Sequence, residues 1–183
     1  MATIFAHALV PIAVRIGSGP GHISNRLLVA SALATMAPDL DIAAFFYGIP
    51  YGDAFGHRGF THSVAFAAIA GLVASLFAAR LNSAKAACFW LVFVSMVSHP
   101  ILDAFTNGGY GVAFFWPLTD DRYFMPWQPV MVSPIGIGNF FEARSLQVLL
   151  SEFYWILLPL LTVAATARIA ISRKNARAKH GHF

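Results

Sequence analysis

Apolar residues fall in long blocks separated by short polar ones, the pattern of membrane-crossing helices rather than of strands or amphipathic surface helices. Residues 64–79, 86–102 and 153–167 carry no charged side chain, and each block is bordered by one. Every block is slightly shorter than the roughly 20 residues a crossing requires, which places the neighbouring polar residues in or near the head-group layer. Two weaker segments precede them. Residues 3–14 end at Arg15 and a Gly17-Ser18-Gly19-Pro20-Gly21 turn, and residues 27–38 end at Pro38. Residues 42–51 are apolar and aromatic but contain Gly48 and Pro50, so a re-entrant or interfacial piece is expected there. The fold class is therefore all-α, an integral membrane bundle of about four to five helices. One domain over residues 1–172 is followed by a basic tail at 173–183.

Composition strengthens this picture. The 183 residues are 58% hydrophobic and 11% charged, with mean hydropathy +0.67, whereas soluble domains are about a quarter charged. A net charge of +4 and a pI near 9.6 could signal nucleic-acid binding. Yet the Lys and Arg residues sit at the ends of apolar blocks, where they report topology, and no nucleic-acid partner is expected. The single cysteine, Cys88, excludes an intramolecular disulfide framework and a thiolate zinc site. Met1-Ala2-Thr3 lacks the basic start of a secretory signal, so the first apolar segment is expected to stay in the mature protein.

Basic residues at span ends mark the cytoplasmic side. Arg80 and Lys85, and the tail residues Arg173, Lys174, Arg177 and Lys179, then lie inside, and Arg15 and Arg26 place the first turn inside as well. The block from Ala86 runs outward, and residues 106–147 form a long outer loop. Its Phe114-Phe115-Trp116-Pro117 and Met125-Pro126-Trp127-Gln128-Pro129 runs predict a lid on the membrane interface, with Trp116 and Trp127 as interfacial belt residues.

Five of the seven histidines and four of the eight acids fall within the first 103 residues. They form Pro38-Asp39-Leu40-Asp41, His57-Arg58-Gly59-Phe60-Thr61-His62-Ser63 and Ser98-His99-Pro100-Ile101-Leu102-Asp103, with His7 as an outlying member. His99 and Asp103, four apart, share one helix face and can grip one ion. Pro100 is expected to kink that helix. His57 and His62 lie about 140° apart on an ideal helix, so His57 is expected on an approach loop and His62 at the helix start, with Thr61 or Ser63 as cap. The amides there also favour an anion. Asp39 and Asp41 share a side only if the backbone is extended. One could then bind metal while the other orients a ligating histidine. The topology brings His62, His99 and Asp103 to the outer face, and Asp39 and Asp41 join them if the second segment runs outward from Arg26.

Nitrogen and oxygen ligands without thiolate suit zinc, manganese or iron. The expected ligands are His7, Asp39, Asp41, His57, His62, His99 and Asp103, for one to three divalent ions, most readily zinc. Such an ion holds a phosphoryl oxygen and acidifies bound water, with Asp41, Arg58 and Asn107 as catalytic residues, Arg58 or Asn107 orienting the phosphate. A substrate that is itself a membrane lipid phosphate explains why the protein is membrane-bound. Glu152 is expected to pair with Arg144 or Arg122, and Asp53, Asp120 and Asp121 to be solvated. His22, alone, is more simply a helix-to-helix hydrogen bonder than a ligand. His180 and His182 of the tail are assigned no role. The competing readings are a haem-binding redox protein and a metal or proton transporter.

These three clusters, with His7, Thr106-Asn107, Phe115-Trp116-Pro117, Pro126-Trp127 and Val132-Ser133-Pro134, resemble the YdjM-like family of membrane-bound, metal-dependent hydrolases. The His-Arg-Gly-x-Thr-His-Ser run is the most specific part of the likeness, which covers most of the chain. The resemblance implies an inner-membrane hydrolase with the matching His and Asp residues as metal ligands. That family is in turn distantly similar to zinc-dependent phospholipase C and P1 nuclease, which cleave phosphoesters with clustered zinc. The Glu-containing ligand pair of those soluble enzymes is missing from this chain.

Overall fold

The computed structural model describes residues 1–134 and 144–180. The described chain is helical, with only isolated bridges at Thr106–Val130 and Val112–Tyr123. Its helices are α1 (Ile4–Ser18), α2 (Asn25–Met36), α3 (Val64–Leu76), α4 (Lys85–Ala104), α5 (Arg144–Glu152) and α6 (Leu158–His180). Three stretches are long and apolar enough to cross a membrane: Asn25–Tyr47, Lys85–Ala104 and Arg144–Ala178. α1 and α3 are shorter apolar helices, which completes a membrane bundle of five.

Local chemistry sets the ends. Thr3 caps α1 by accepting from Ala6 N–H, Ser24 caps α2 through Leu27 N–H, and Ser63 caps α3 through Phe66 N–H. α1 closes at Gly19, whose φ of +90° a residue with Cβ seldom adopts. α3 and α4 form the most extensive contact, and α1 packs on α2, α4 and α6. At Gly71 a Cβ would lie 3.0 Å from Phe89, so the close crossing of α3 and α4 depends on a small residue. Leu27, Ala67, Cys88, Leu91, Val92 and Met96 form the core at this crossing. Ile69, Leu72, Leu76, Trp90, Leu161 and Val163 lie exposed, an apolar periphery that water would penalise and acyl chains accept.

Several expectations are corrected. Residues 42–51 are not a separate re-entrant piece: α2 continues into a 3₁₀ helix, Ala37–Tyr47, and stops at Gly48, whose φ is +74°. Asp39 and Asp41 therefore sit on a 3₁₀ helix rather than on extended backbone, since Pro38 occupies the first turn, where its missing N–H costs nothing. α6 runs from the last span through the basic residues to His180. As the His99–Asp103 spacing anticipates, α4 stays helical through Pro100. His182 and part of the long loop, 135–143, lie outside the described residues.

The loop from Thr106 to Pro134 folds over the Asp103 end of the bundle. Val64 N–H donates to Phe114 O, Ala113 N–H to Arg58 O, Met125 N–H to Ala104 O and Asn107 N–H to Val130 O. Arg122 ties the loop to the approach segment by donating to the carbonyls of His57, Tyr51 and Asp53. Trp116 packs against Phe55 and Phe60, and Trp127 against Trp155.

Candidate metal centre

Four elements meet beneath this loop: α1 brings His7, the 3₁₀ helix brings Asp39 and Asp41, the turn before α3 brings His57, Arg58 and His62, and α4 brings His99 and Asp103. His7, His57, Arg58, His62, His99 and Asp103 are fully buried. The ligand atoms of Asp39, His62, His99 and Asp103 lie within 4.8 Å of one another, and Asp41, His57 and His62 form a second such group.

Hydrogen bonds orient the two central imidazoles. His99 Nδ1 lies 2.7 Å from Thr35 O, a carbonyl that can only accept, so the proton is on Nδ1 and Nε2 carries a lone pair. His62 Nδ1 lies 3.0 Å from Thr61 Oγ1, whose own proton goes to Asp41 Oδ2, and 3.2 Å from that carboxylate oxygen, which fixes the same tautomer. The two Nε2 atoms then face each other at 3.1 Å. With both imidazoles neutral, two lone pairs at that distance repel unless a cation lies between them.

The carboxylates complete the cage. Asp39 Oδ1 is 3.4 Å from His99 Nε2 and 3.9 Å from His62 Nε2, and Asp103 Oδ2 is 3.7 Å from His62 Nε2 and 4.0 Å from His99 Nε2. Donors sharing one ion through bonds of about 2.0–2.2 Å stand about 3.0–3.6 Å apart, so a slight contraction makes a coordination shell. Among the described residues nine buried side-chain polar atoms lack a hydrogen bond, and six of them belong to His7, Asp39, His57 and Asp103. Buried polar atoms are rarely left so. Three buried carboxylates, Asp39, Asp41 and Asp103, share the cluster with one guanidinium, Arg58, which pairs with Asp103, a side-chain imbalance that a divalent cation would remove. The residues fit a metal ion on all these counts.

Asp41 is a hub rather than an open donor. Its oxygens receive His57 Nδ1 at 2.6 Å, Thr61 Oγ1 at 2.7 Å and Arg58 N–H at 3.2 Å, besides His62. His7 stacks on His99 with ring centroids 3.6 Å apart, and its Nε2 is 3.5 Å from Asp103 Oδ1. It sits beside the four-residue group, not in it. The Arg58 guanidinium is engaged internally: Nε lies 3.1 Å from Asp103 Oδ2, one terminal nitrogen donates to Gly108 O and the other to Thr106 Oγ1, both at 2.9 Å. Asn107 is exposed, and its Oδ1 accepts from Val132 N–H, bracing the loop.

Glu152 pairs with neither Arg144 nor Arg122. It is buried and accepts from the amide and hydroxyl of Thr3, because α1 packs on the last span and carries the chain start to the cluster, where Ala2 N–H donates to Asp103 Oδ1 at 2.7 Å. Sequence reasoning missed Thr35 and this Thr3–Glu152 contact, and it placed Thr106 in the motif without a role. Thr106 stands three residues past Asp103 and was within reach of motif analysis. The Thr35 carbonyl left no signal, since any residue supplies one.

Burial pushes the His62 imidazole down from 6.5 to about 4, so it is neutral at physiological pH with Nε2 available. The linked stability is complete above about pH 6.5 and is lost as pH falls toward 4, because the unfolded chain takes up the proton first. Unfolding temperatures of chelator-treated protein should therefore drop between pH 7 and pH 4, and His62→Gln should flatten the drop. Parallel pH curves for the two proteins would refute this role for His62.

The comparisons with known proteins agree with this architecture. The profile of the YdjM inner membrane protein family matches residues 1–176. The chain is 39% identical over 160 residues to inner membrane protein YbcI of Escherichia coli (strain K12), across 87% of this chain and 92% of that protein. No solved structure matches. By these matches over nearly its whole length, the chain belongs to the YdjM inner membrane protein family.

Proposed function

We propose that this protein is a metal-dependent hydrolase that cleaves a phosphoester of a membrane lipid at the outer face of the inner membrane. The observation that carries the reading is the pair of His62 and His99 Nε2 atoms facing each other at 3.1 Å between the Asp39 and Asp103 carboxylates. When bound there, a divalent ion supplies Lewis acidity toward a phosphoryl oxygen and lowers the pKa of water. Zinc suits two imidazoles and two carboxylates, and manganese or iron is compatible.

The remaining residues support that chemistry in distinct ways. Thr35 and Asp41 hold the ligating imidazoles in one tautomer. His57, its Nδ1 on Asp41 and its Nε2 buried without a partner, is built to accept a proton from an attacking water. Arg58 orients Asp103 and offsets its charge, which makes it a positioning residue rather than a clamp on substrate. The loop from Thr106 to Pro134 excludes bulk water. The Asp39 and Asp103 carboxylates that flank both imidazoles disfavour the haem reading. The basic Arg80–Lys85 turn favours the cytoplasmic side for the opposite end of α4.

The test is turnover of phospholipid vesicles by reconstituted protein, followed by phosphorus NMR with and without added zinc or manganese. Metal-dependent cleavage is expected, with a loss of at least 10³-fold in His62→Ala. A metal-loaded protein that leaves every phospholipid class intact would overturn the assignment.

A further inference from the structure

A groove of about 460 Å³ lies between α2 and α3, floored by Val92 of α4, within the roughly 300–1,000 Å³ typical of ligand sites. Its walls are apolar. Ala30 and Ala34 on α2 and Ala70 and Ala74 on α3 line it, each pair one helical turn apart on a single face, so methyl groups stand where larger side chains would close the space. Ile69, Val73 and Phe77, also in its lining, are exposed to the membrane side, so the groove opens toward lipid.

On both walls the lining at one end is adjacent in sequence to residues that hold the metal centre. Ala34 precedes Thr35, whose carbonyl holds His99, and Phe66 donates its N–H to Ser63, the residue after His62. From Phe66 to Phe77 the lining runs eleven residues along α3, about 16 Å at 1.5 Å per residue. That is about half of a hydrocarbon layer some 30 Å thick, the depth of one leaflet.

We infer that this groove seats one acyl chain of a phospholipid whose head group reaches the cluster of Asp39, His62, His99 and Asp103. The inference rests on the hydrolase reading for what happens at the head group, while the seat itself rests on the shape, depth and position of the groove. Hydrophobic transfer does not drive a chain from bilayer into groove, because lipid tails are as apolar as leucine. The preference comes from dispersion contacts on three sides instead of one, and the chain's orientation follows from the one polar end.

The experiment uses the whole protein in phosphatidylethanolamine and phosphatidylglycerol vesicles containing a phosphatidylglycerol with a mid-chain diazirine. Irradiation and peptide mass spectrometry then compare adducts on 66–77 with adducts on the lipid-facing 161–169 stretch of α6. At least five-fold enrichment per residue is expected on 66–77. Ala34→Phe and Ala74→Phe fill opposite ends of the groove, and each should return labelling to the α6 level. Variants that unfold below the wild type by more than a few degrees are replaced by Ala34→Leu and Ala74→Leu. Equal labelling of the two stretches in wild type, or enrichment that survives filling, overturns the inference. Metal content of the same samples separates the two readings. An enriched, filling-sensitive groove in a protein that binds no metal supports the seat and sinks the hydrolase, and a metal-loaded protein without enrichment does the reverse.

Discussion

Wild-type protein purified in mild detergent should carry zinc, manganese or iron, and His62→Ala and Asp103→Ala should each retain less than a tenth of it. The expectation follows from how few donors the cage has. His62 and Asp103 approach from different elements, and either substitution leaves three residues of the central four. Neither loss is covered by a neighbour: His7 stands outside the four-residue group, its Nε2 3.5 Å from Asp103 Oδ1, and the Nδ1 of His57 is held by Asp41. Asp41→Asn tests the orienting carboxylate separately. It keeps the volume and all four central donors but weakens the acceptor for two imidazoles, so metal affinity should fall by about 10–100-fold rather than vanish. Inductively coupled plasma mass spectrometry and chelator competition on the three variants provide the measurement. Equal metal content in wild type, His62→Ala and Asp103→Ala would remove the centre.

Helical class and span positions were readable because hydropathy reports burial in lipid directly: charge-free blocks at 64–79 and 86–102 became α3 and α4. The i, i+4 spacing of His99 and Asp103 likewise translated into a shared face, since α4 remained helical through Pro100. Backbone conformation around Asp39 and Asp41 was not readable. Both extended and 3₁₀ backbones suit a Pro-Asp-Leu-Asp run, and only tertiary packing chooses between them. On the 3₁₀ helix Asp39 faces the Nε2 side of His62 and Asp41 its Nδ1 side, a division of labour that an extended strand would not give. The fate of Arg58 was hidden for a related reason. An arginine beside a histidine cluster at a membrane face suits a phosphate ligand and an internal counter-ion equally, and the sequence holds nothing that says its donors are already taken.

Arg58→Met should destabilise the metal-free protein by about 3–5 kcal/mol, the usual cost of leaving one partner of a buried ion pair alone. Arg58 is fully buried, and its guanidinium serves Asp103, Gly108 O and Thr106 Oγ1 in three directions at once. Arg58→Lys restores the charge but not the fork, so it should recover less than half of the loss. The backbone is specialised too. Arg58 has a φ of +64°, rare for a residue with Cβ, and at Gly109, φ +91°, a Cβ would stand 2.8 Å from the guanidinium. Strain at Arg58 is held by the ion pair, the Ala113 to Arg58 backbone bond and the loop above it. Adding Asp103→Asn to Arg58→Met should return about half of the lost stability, because the orphaned charge is then removed with its partner. Urea unfolding in detergent, on chelator-treated samples so that metal loss does not contribute, gives all four free energies. A cost below about 1 kcal/mol for Arg58→Met would mean that the guanidinium is free to leave Asp103, and would return it to the role of a ligand for phosphate.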